Sequence, residues 1–192
     1  LIEAAKITFC GVGSFGTGSD HVREKDGLWA VLFWLNIMAV RDEPLCDIVR
    51  KHWRAYGRDY FTRHDYEGVD SDGAQSMMAD LREQLPHFAG RELGGLVVES
   101  ADDFHYSGPG DGSEASHQGV RLFLNNGGRI LLRLSGTGTQ GATLRAYYDC
   151  YQDDPSLLEL SPQKALADLI EVGNQVARIA YVTGRSKPDV VT

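Results

Sequence analysis

Between Arg129 and Arg145 the chain gathers the groups that hold a small anion. Arg133 and Arg145 carry forked guanidinium groups, Ser135, Thr137 and Thr139 add hydroxyls, and Gly136, Gly138 and Gly141 let backbone N–H groups turn inward. This inventory suits a phosphate.

Other chemistries fit less well. Gly11-Val12-Gly13-Ser14-Phe15-Gly16 matches the dinucleotide fingerprint GxGxxG, but the next helix starts only near Asp26 and residue 36 is Asn where an acid is needed. Gly136 to Gly141 shows the same spacing but leads into a strand, and as a P-loop it has Ala142 where the lysine belongs. A triad of Ser14, His21 and Asp20 is set aside, since adjacent Asp and His side chains seldom meet in hydrogen-bond geometry.

The elements that must position these groups follow from periodicity. Ile130, Leu132 and Leu134 alternate with Leu131, Arg133 and Ser135, and Leu144, Ala146, Tyr148 and Cys150 alternate with Thr143, Arg145, Tyr147 and Asp149, so residues 136–141 read as a loop joining two strands. Val120, Leu122 and Leu124 before Asn125-Asn126-Gly127-Gly128 predict a further hairpin, and Leu93 to Glu99 another strand, followed by a loop from Asp102 to His117. Helices are expected at Ser71 to Leu85, capped by Asp70 or Ser71, and from Ser161-Pro162 onward along the stripe Leu166, Leu169, Ile170, Val172, Val176 and Ile179. Arg58 to Val69 is polar and aromatic, compatible with an extended stretch, and is taken as a boundary or linker.

Ahead of it, Lys6 to Cys10 reads as a strand. Leu28 to Val40, apolar nearly all round, reads as a buried helix, and Pro44 to Tyr56 as a second helix with Leu45, Ile48, Val49, Trp53 and Tyr56 on one face. The expected architecture is α+β: residues 58–192 form a two-layer domain of about four antiparallel strands packed with helices, and residues 1–57 form the C-terminal part of an α/β domain.

The chain has 192 residues and a formal net charge of −8, with no basic block, which argues against general nucleic-acid affinity and makes any anion site local. Cys10, Cys46 and Cys150 are odd in number and form no CxxC pair, which suits reduced thiols in the cytoplasm, and the six histidines show no zinc spacing, so no metal site is expected. The longest apolar run is too short for a bilayer, which needs about 20 residues, so no membrane partner is expected. The first residue is Leu, which suggests the later part of a longer polypeptide.

Gly11 to Trp29, with Ser14-Phe15-Gly16-Thr17-Gly18-Ser19-Asp20-His21-Val22-Arg23-Glu24-Lys25-Asp26-Gly27, together with Tyr56 to Tyr66, residues 133–145 and Thr183-Gly184-Arg185, resembles the α-phosphoglucomutases of the phosphohexomutase superfamily. The resemblance implies four domains around a cleft and a phosphoserine that interconverts glucose 1-phosphate and glucose 6-phosphate through glucose 1,6-bisphosphate, which also serves as primer. It implies a TBP-like fourth domain whose loop, here Arg133, Ser135, Gly136, Thr137, Thr139 and Arg145, holds the idle phosphate. Lys25 would stabilise the transferring phosphoryl group, and Gly11, Ser14, His21 and Arg23 would lie on the sugar side. The family's Gly-Glu-Glu-Ser-Phe-Gly motif here has Val12 and Gly13 in place of both carboxylates. Its phosphoserine and magnesium loops do not occur, so Mg2+ is assigned to the missing N-terminal domains and the chain alone is expected to be inactive. The competing reading is a non-enzymatic homologue, structural or adhesive, or a lone phospho-ligand binding module.

Overall fold

The computed structural model describes residues 7–12, 16–22, 24–108, 112–138 and 141–192. Two units separate: Leu1–Arg58 with Asp153–Leu158, and Asp59–Gln152 with Glu159–Thr192.

In the first unit β1 (Phe9–Val12) and β2 (Gly16–Ser19) pair antiparallel from Phe9↔Ser19 to Val12↔Gly16. Of the expected strand, Ile7 and Thr8 precede β1, and Lys6 lies outside the described residues. Helix α1 (Gly27–Arg41) begins where the Asp26 carboxylate accepts the Trp29 N–H at 2.9 Å, and α2 (Leu45–Tyr56) follows Pro44 and stops at Gly57. The all-round apolar surface of α1 predicts burial, yet none of its residues is buried, and Leu28 and Val40 are 81% and 85% exposed. Around it the described part of the unit supplies one hairpin and one helix, which cover only part of its circumference. On that part Trp29 and Phe33 stack with centroids 5.0 Å apart, and Phe9 lies 5.7 Å from each. Of the face expected on α2, only Ile48 is buried.

The second unit is α+β. After β3 (Arg58–Val69), α3 (Ser71–Gln84) and a single 3-10 turn come β4 (Glu92–Leu93), β5 (Leu96–Asp103), the small hairpin β6 (Tyr106–Ser107) and β7 (Glu114–Ala115), β8 (Val120–Leu124), β9 (Arg129–Gly138) and β10 (Gly141–Gln152). Three short helices, α4 (Pro162–Ala165), α5 (Ala167–Val176) and α6 (Ile179–Thr183), lead to β11 (Val190–Val191). The sheet order is β11-β3-β10-β9-β8-β5-β4. Helices α3 and α5 pack on one face, where Leu122, Ile130, Leu132, Leu144, Ala146 and Tyr148 meet Met77, Leu81, Leu169 and Val172.

Three expectations are corrected here. The sheet has seven strands and not about four, chiefly because Arg58–Val69 is a strand and not a linker. Its apolar signal is masked because the covered face of β3 carries polar residues that are internally paired. Thr62 Oγ1 donates to Thr192 O at 2.9 Å and accepts from Gln163 at 2.7 Å, and His64 Nε2 lies 3.0 Å from Gln163 Oε1. The continuous helix expected after Ser161 breaks into three pieces, with Arg178 in the left-handed region at φ 46°. Asp70, one of two candidate caps, does cap α3, accepting from Gly73 N–H at 2.7 Å.

Candidate functional site

The second unit has one covered sheet face and one open face, and Arg133, Ser135 and Arg145 stand on the open one. In the β9–β10 ladder Arg133 lies directly opposite Arg145, and Ser135 opposite Thr143. Directly opposed side chains share a face and approach to about 5 Å at Cβ, so two facing arginines repel each other unless an anion is present. The buried partners on the other side, Leu132, Leu144 and Ala146, fix which way these groups point.

Neighbouring charges divide unevenly across this face. Arg129 is matched by Asp149 at 2.9 and 3.0 Å, and Arg121 forms a two-pronged pair with Asp102 at 2.7 Å. Arg145 Nε stands 3.6 Å from Asp65 Oδ2, while Asp65 Oδ1 accepts from Arg63 Nε at 2.8 Å. Arg133 instead donates to the neutral Gln118 Oε1 at 3.1 Å, and among the described residues that is its hydrogen-bond partner. Ser135 Oγ and Arg145 Nε are buried and, among the described residues, have no hydrogen-bond partner. Both residues stand on the face that Arg133 shares, and donors of this kind cost free energy when left unmade.

The connection between the strands is tighter than the expected 136–141 loop. Pairing continues to Gly138↔Gly141, with an irregularity between Gly141 and Thr143. Gly141 has φ 92°, and a Cβ there would stand 3.0 Å from Val69 O and 3.2 Å from Gly68, so only glycine lets the start of β10 lie against the end of β3. Gly136, at φ 65°, lies in strand β9. Thr139 and the side chain of Thr137 lie outside the described residues.

In the first unit Gly11 pairs with Thr17 inside the hairpin, which rules out the helix that a dinucleotide fingerprint needs there. Ser14 and Arg23 lie outside the described residues. The segment after β2 folds back across it, with Asp26 N–H donating to Thr17 O at 2.9 Å. Lys25 lies over Gly16 so closely that a Cβ on Gly16 would meet its Cδ at 2.4 Å. Lys25 itself is exposed.

His21 is braced on three sides. Its Nδ1 bonds the Ser19 hydroxyl, its Nε2 lies 3.1 Å from Asp26 Oδ2, and its ring stacks on Trp29 with centroids 5.4 Å apart. The hydrogen bond from Trp29 N–H, and then that from His21, hold the Asp26 carboxyl below its usual range. This Ser–His–Asp connectivity does not make a nucleophile, because Ser19 is only 7% exposed and Asp26 also caps α1. Sequence reasoning singled out His21 but not its braces, Ser19 and Asp26, nor Thr143, Gln118 and Asp65 around the arginines. The usable signal for Thr143 was its place in the strand alternation; the others come together only in the fold.

Among the described residues no group of three or more His, Cys, Asp or Glu side chains could hold a metal ion, and no helix is long and apolar enough to cross a membrane.

Comparison with known proteins identifies the family of the chain. Residues 58–189 match the family model "Phosphoglucomutase-1, C-terminal domain", and residues 1–56 match "Phosphoglucomutase/phosphomannomutase, alpha/beta/alpha domain III". The chain is 55% identical over its whole length to the phosphoglucomutase of Rhizobium radiobacter and 48% identical to human phosphoglucomutase-1, covering 35% of each. Among solved structures it resembles the open form of the exocytosis-sensitive phosphoprotein pp63/parafusin, a phosphoglucomutase from Paramecium, at a TM-score of 0.85 and 41% identity, over all of this chain and 34% of that one. The chain thus spans about a third of the length of the curated relatives it matches. With both segments and their order accounted for, the chain belongs to the phosphoglucomutase family.

Proposed function

We propose that this chain is the C-terminal portion of a cytoplasmic phosphoglucomutase that interconverts glucose 1-phosphate and glucose 6-phosphate through a phosphoserine and glucose 1,6-bisphosphate. In this reading residues 1–57 are the end of a sugar-binding domain and residues 58–192 a phosphate-binding domain. Arg133, Ser135, Gly136, Thr137, Thr139 and Arg145 hold the phosphate that is not being transferred. Lys25 balances charge on the transferring phosphoryl group, and Gly11, Ser14, His21 and Arg23 face the sugar. Mg2+ belongs with the phosphoserine in N-terminal domains of the longer polypeptide, where it supplies charge stabilisation; the described residues here offer no metal-holding group.

The single observation that carries the reading is the cross-strand pair of Arg133 and Arg145 beside the Ser135 hydroxyl, which has no hydrogen-bond partner among the described residues. Two guanidinium groups held face to face are costly without an anion and useful with one. The chemistry this chain contributes is positional: it anchors one end of a sugar bisphosphate so that the other end can react elsewhere.

Joining the chain to its N-terminal domains and assaying glucose 1-phosphate with Mg2+ and glucose 1,6-bisphosphate tests this. Mutase turnover that drops on Arg133→Ala is the expected result. Absence of turnover in the longer polypeptide, with phosphate still bound, would turn the reading to a non-enzymatic binding protein.

A further inference from the structure

We propose that Asp65 is a positioning residue of the phosphate site, acting through Arg145; this rests on the phosphate reading above. Asp65 is the buried carboxylate among the charges of the open sheet face, with its side chain 5% exposed. Its backbone is fixed in the sheet by the pairing of Asp65 with Val190 and by the Asp189 N–H donated to its carbonyl at 2.8 Å. One oxygen accepts from Arg63, and the other stands 3.6 Å from Arg145 Nε.

That arrangement answers a problem set by the ladder. Arg145 faces Arg133, and like charges directly opposite drive each other apart, so in the absence of ligand a long, flexible Arg145 would swing toward solvent. Asp65 lies on β3, the sheet neighbour of β10 on the side away from β9. It draws Arg145 back toward the sheet and leaves Arg133 with the neutral Gln118. A carboxylate near a phosphate lowers affinity through charge alone, so its presence beside an anion site calls for a geometric benefit. The local sum supports this: the guanidinium charges of Arg63, Arg133 and Arg145 against one Asp65 carboxylate leave +2, which matches a phosphate monoester carrying between about −1.5 and −2.

Charge and position predict opposite signs, which makes the test decisive. Glucose 6-phosphate is titrated into the 192-residue chain and followed by NMR, with Asp65→Asn, Arg145→Ala and the double variant compared. If Asp65 positions Arg145, Asp65→Asn weakens binding by about tenfold, and adds almost nothing once Arg145 is already Ala. Unchanged or tighter binding in Asp65→Asn overturns the proposal, because removing a negative charge then acts only through the field. An equal loss in both backgrounds also overturns it, by showing a merely structural role. Should Asp65→Asn fail to fold, Asp65→Glu serves instead: it keeps the charge and shifts the carboxylate by one methylene, so positioning predicts a loss and pure electrostatics predicts none. Arg133→Ala, run alongside, separates the two levels: if it leaves affinity untouched, the phosphate reading itself falls and takes this inference with it.

Discussion

The two units hold their candidate residues by different means. In the second, Arg133 and Arg145 project from strands whose other face is sealed by Leu132, Leu144 and Ala146, so geometry is inherited from a core. In the first, the buried hydrophobic residues among those described are Ile48 and Leu158, and His21 and Lys25 are placed by hydrogen bonds, ring stacking and close contact with a glycine. A site built on packing tolerates the loss of one polar contact, whereas a site built on polar contacts is local and easily released.

The sharpest way to break this contrast is to truncate one leucine in each unit. Leu144→Ala removes a side chain with no exposure and is expected to cost about 3 kcal/mol in urea unfolding. Leu32→Ala, at a position 61% exposed in α1, is expected to cost less than about 0.5 kcal/mol. Equal losses at the two positions would erase the distinction.

A second comparison separates the functions. Gly16→Ala pushes the Lys25 side chain off the hairpin, and in the longer polypeptide it should lower mutase rate by about tenfold while phosphate affinity stays put. Arg133→Ala should do the reverse in binding, weakening glucose 6-phosphate by about tenfold. Measuring both variants by both assays shows whether the two ends act separately.

Smaller effects probe the frame. Removing the cap of α3 with Asp70→Ala, which deprives Gly73 N–H of its acceptor, is expected to lower thermal stability by about 1 kcal/mol. The smallest concerns acid. Burial, opposed by the Gln163 hydrogen bond and the Asp65 charge, pulls His64 below its ordinary value of 6.5. The unfolded chain then takes up a proton that the folded chain refuses. This contribution is complete above about pH 6.5 and is lost as pH falls toward the lowered value, so melting temperature should drop on mild acidification and drop less in His64→Gln.

Much of the second unit was legible because its strands alternate cleanly: Val120 to Leu124, the Asn125 to Gly128 turn, and both arms around Arg133 and Arg145 announce themselves. Arg58–Val69 did not, since Thr62 and His64 face inward and replace an apolar pattern with Gln163 and Thr192 as partners. The exposure of α1 was also hidden, because a helix apolar all round states what it needs but not what surrounds it. At the site, residue types exposed the arginines and hydroxyls, while Asp65, Gln118 and Thr143 reach them only through strand pairing and register, and a single sequence does not print those.

Gln118 has a kinetic consequence. Because Arg133 rests on an amide and not on a carboxylate, under the proposed function an arriving phosphate would exchange one neutral hydrogen bond for a charged one, and a departing phosphate would leave the amide ready to return. At Arg133, among the described residues, no ion pair has to be broken in either direction. Such a latch favours short residence, which under the proposed function would suit a bisphosphate that has to be released at one end and recaptured at the other.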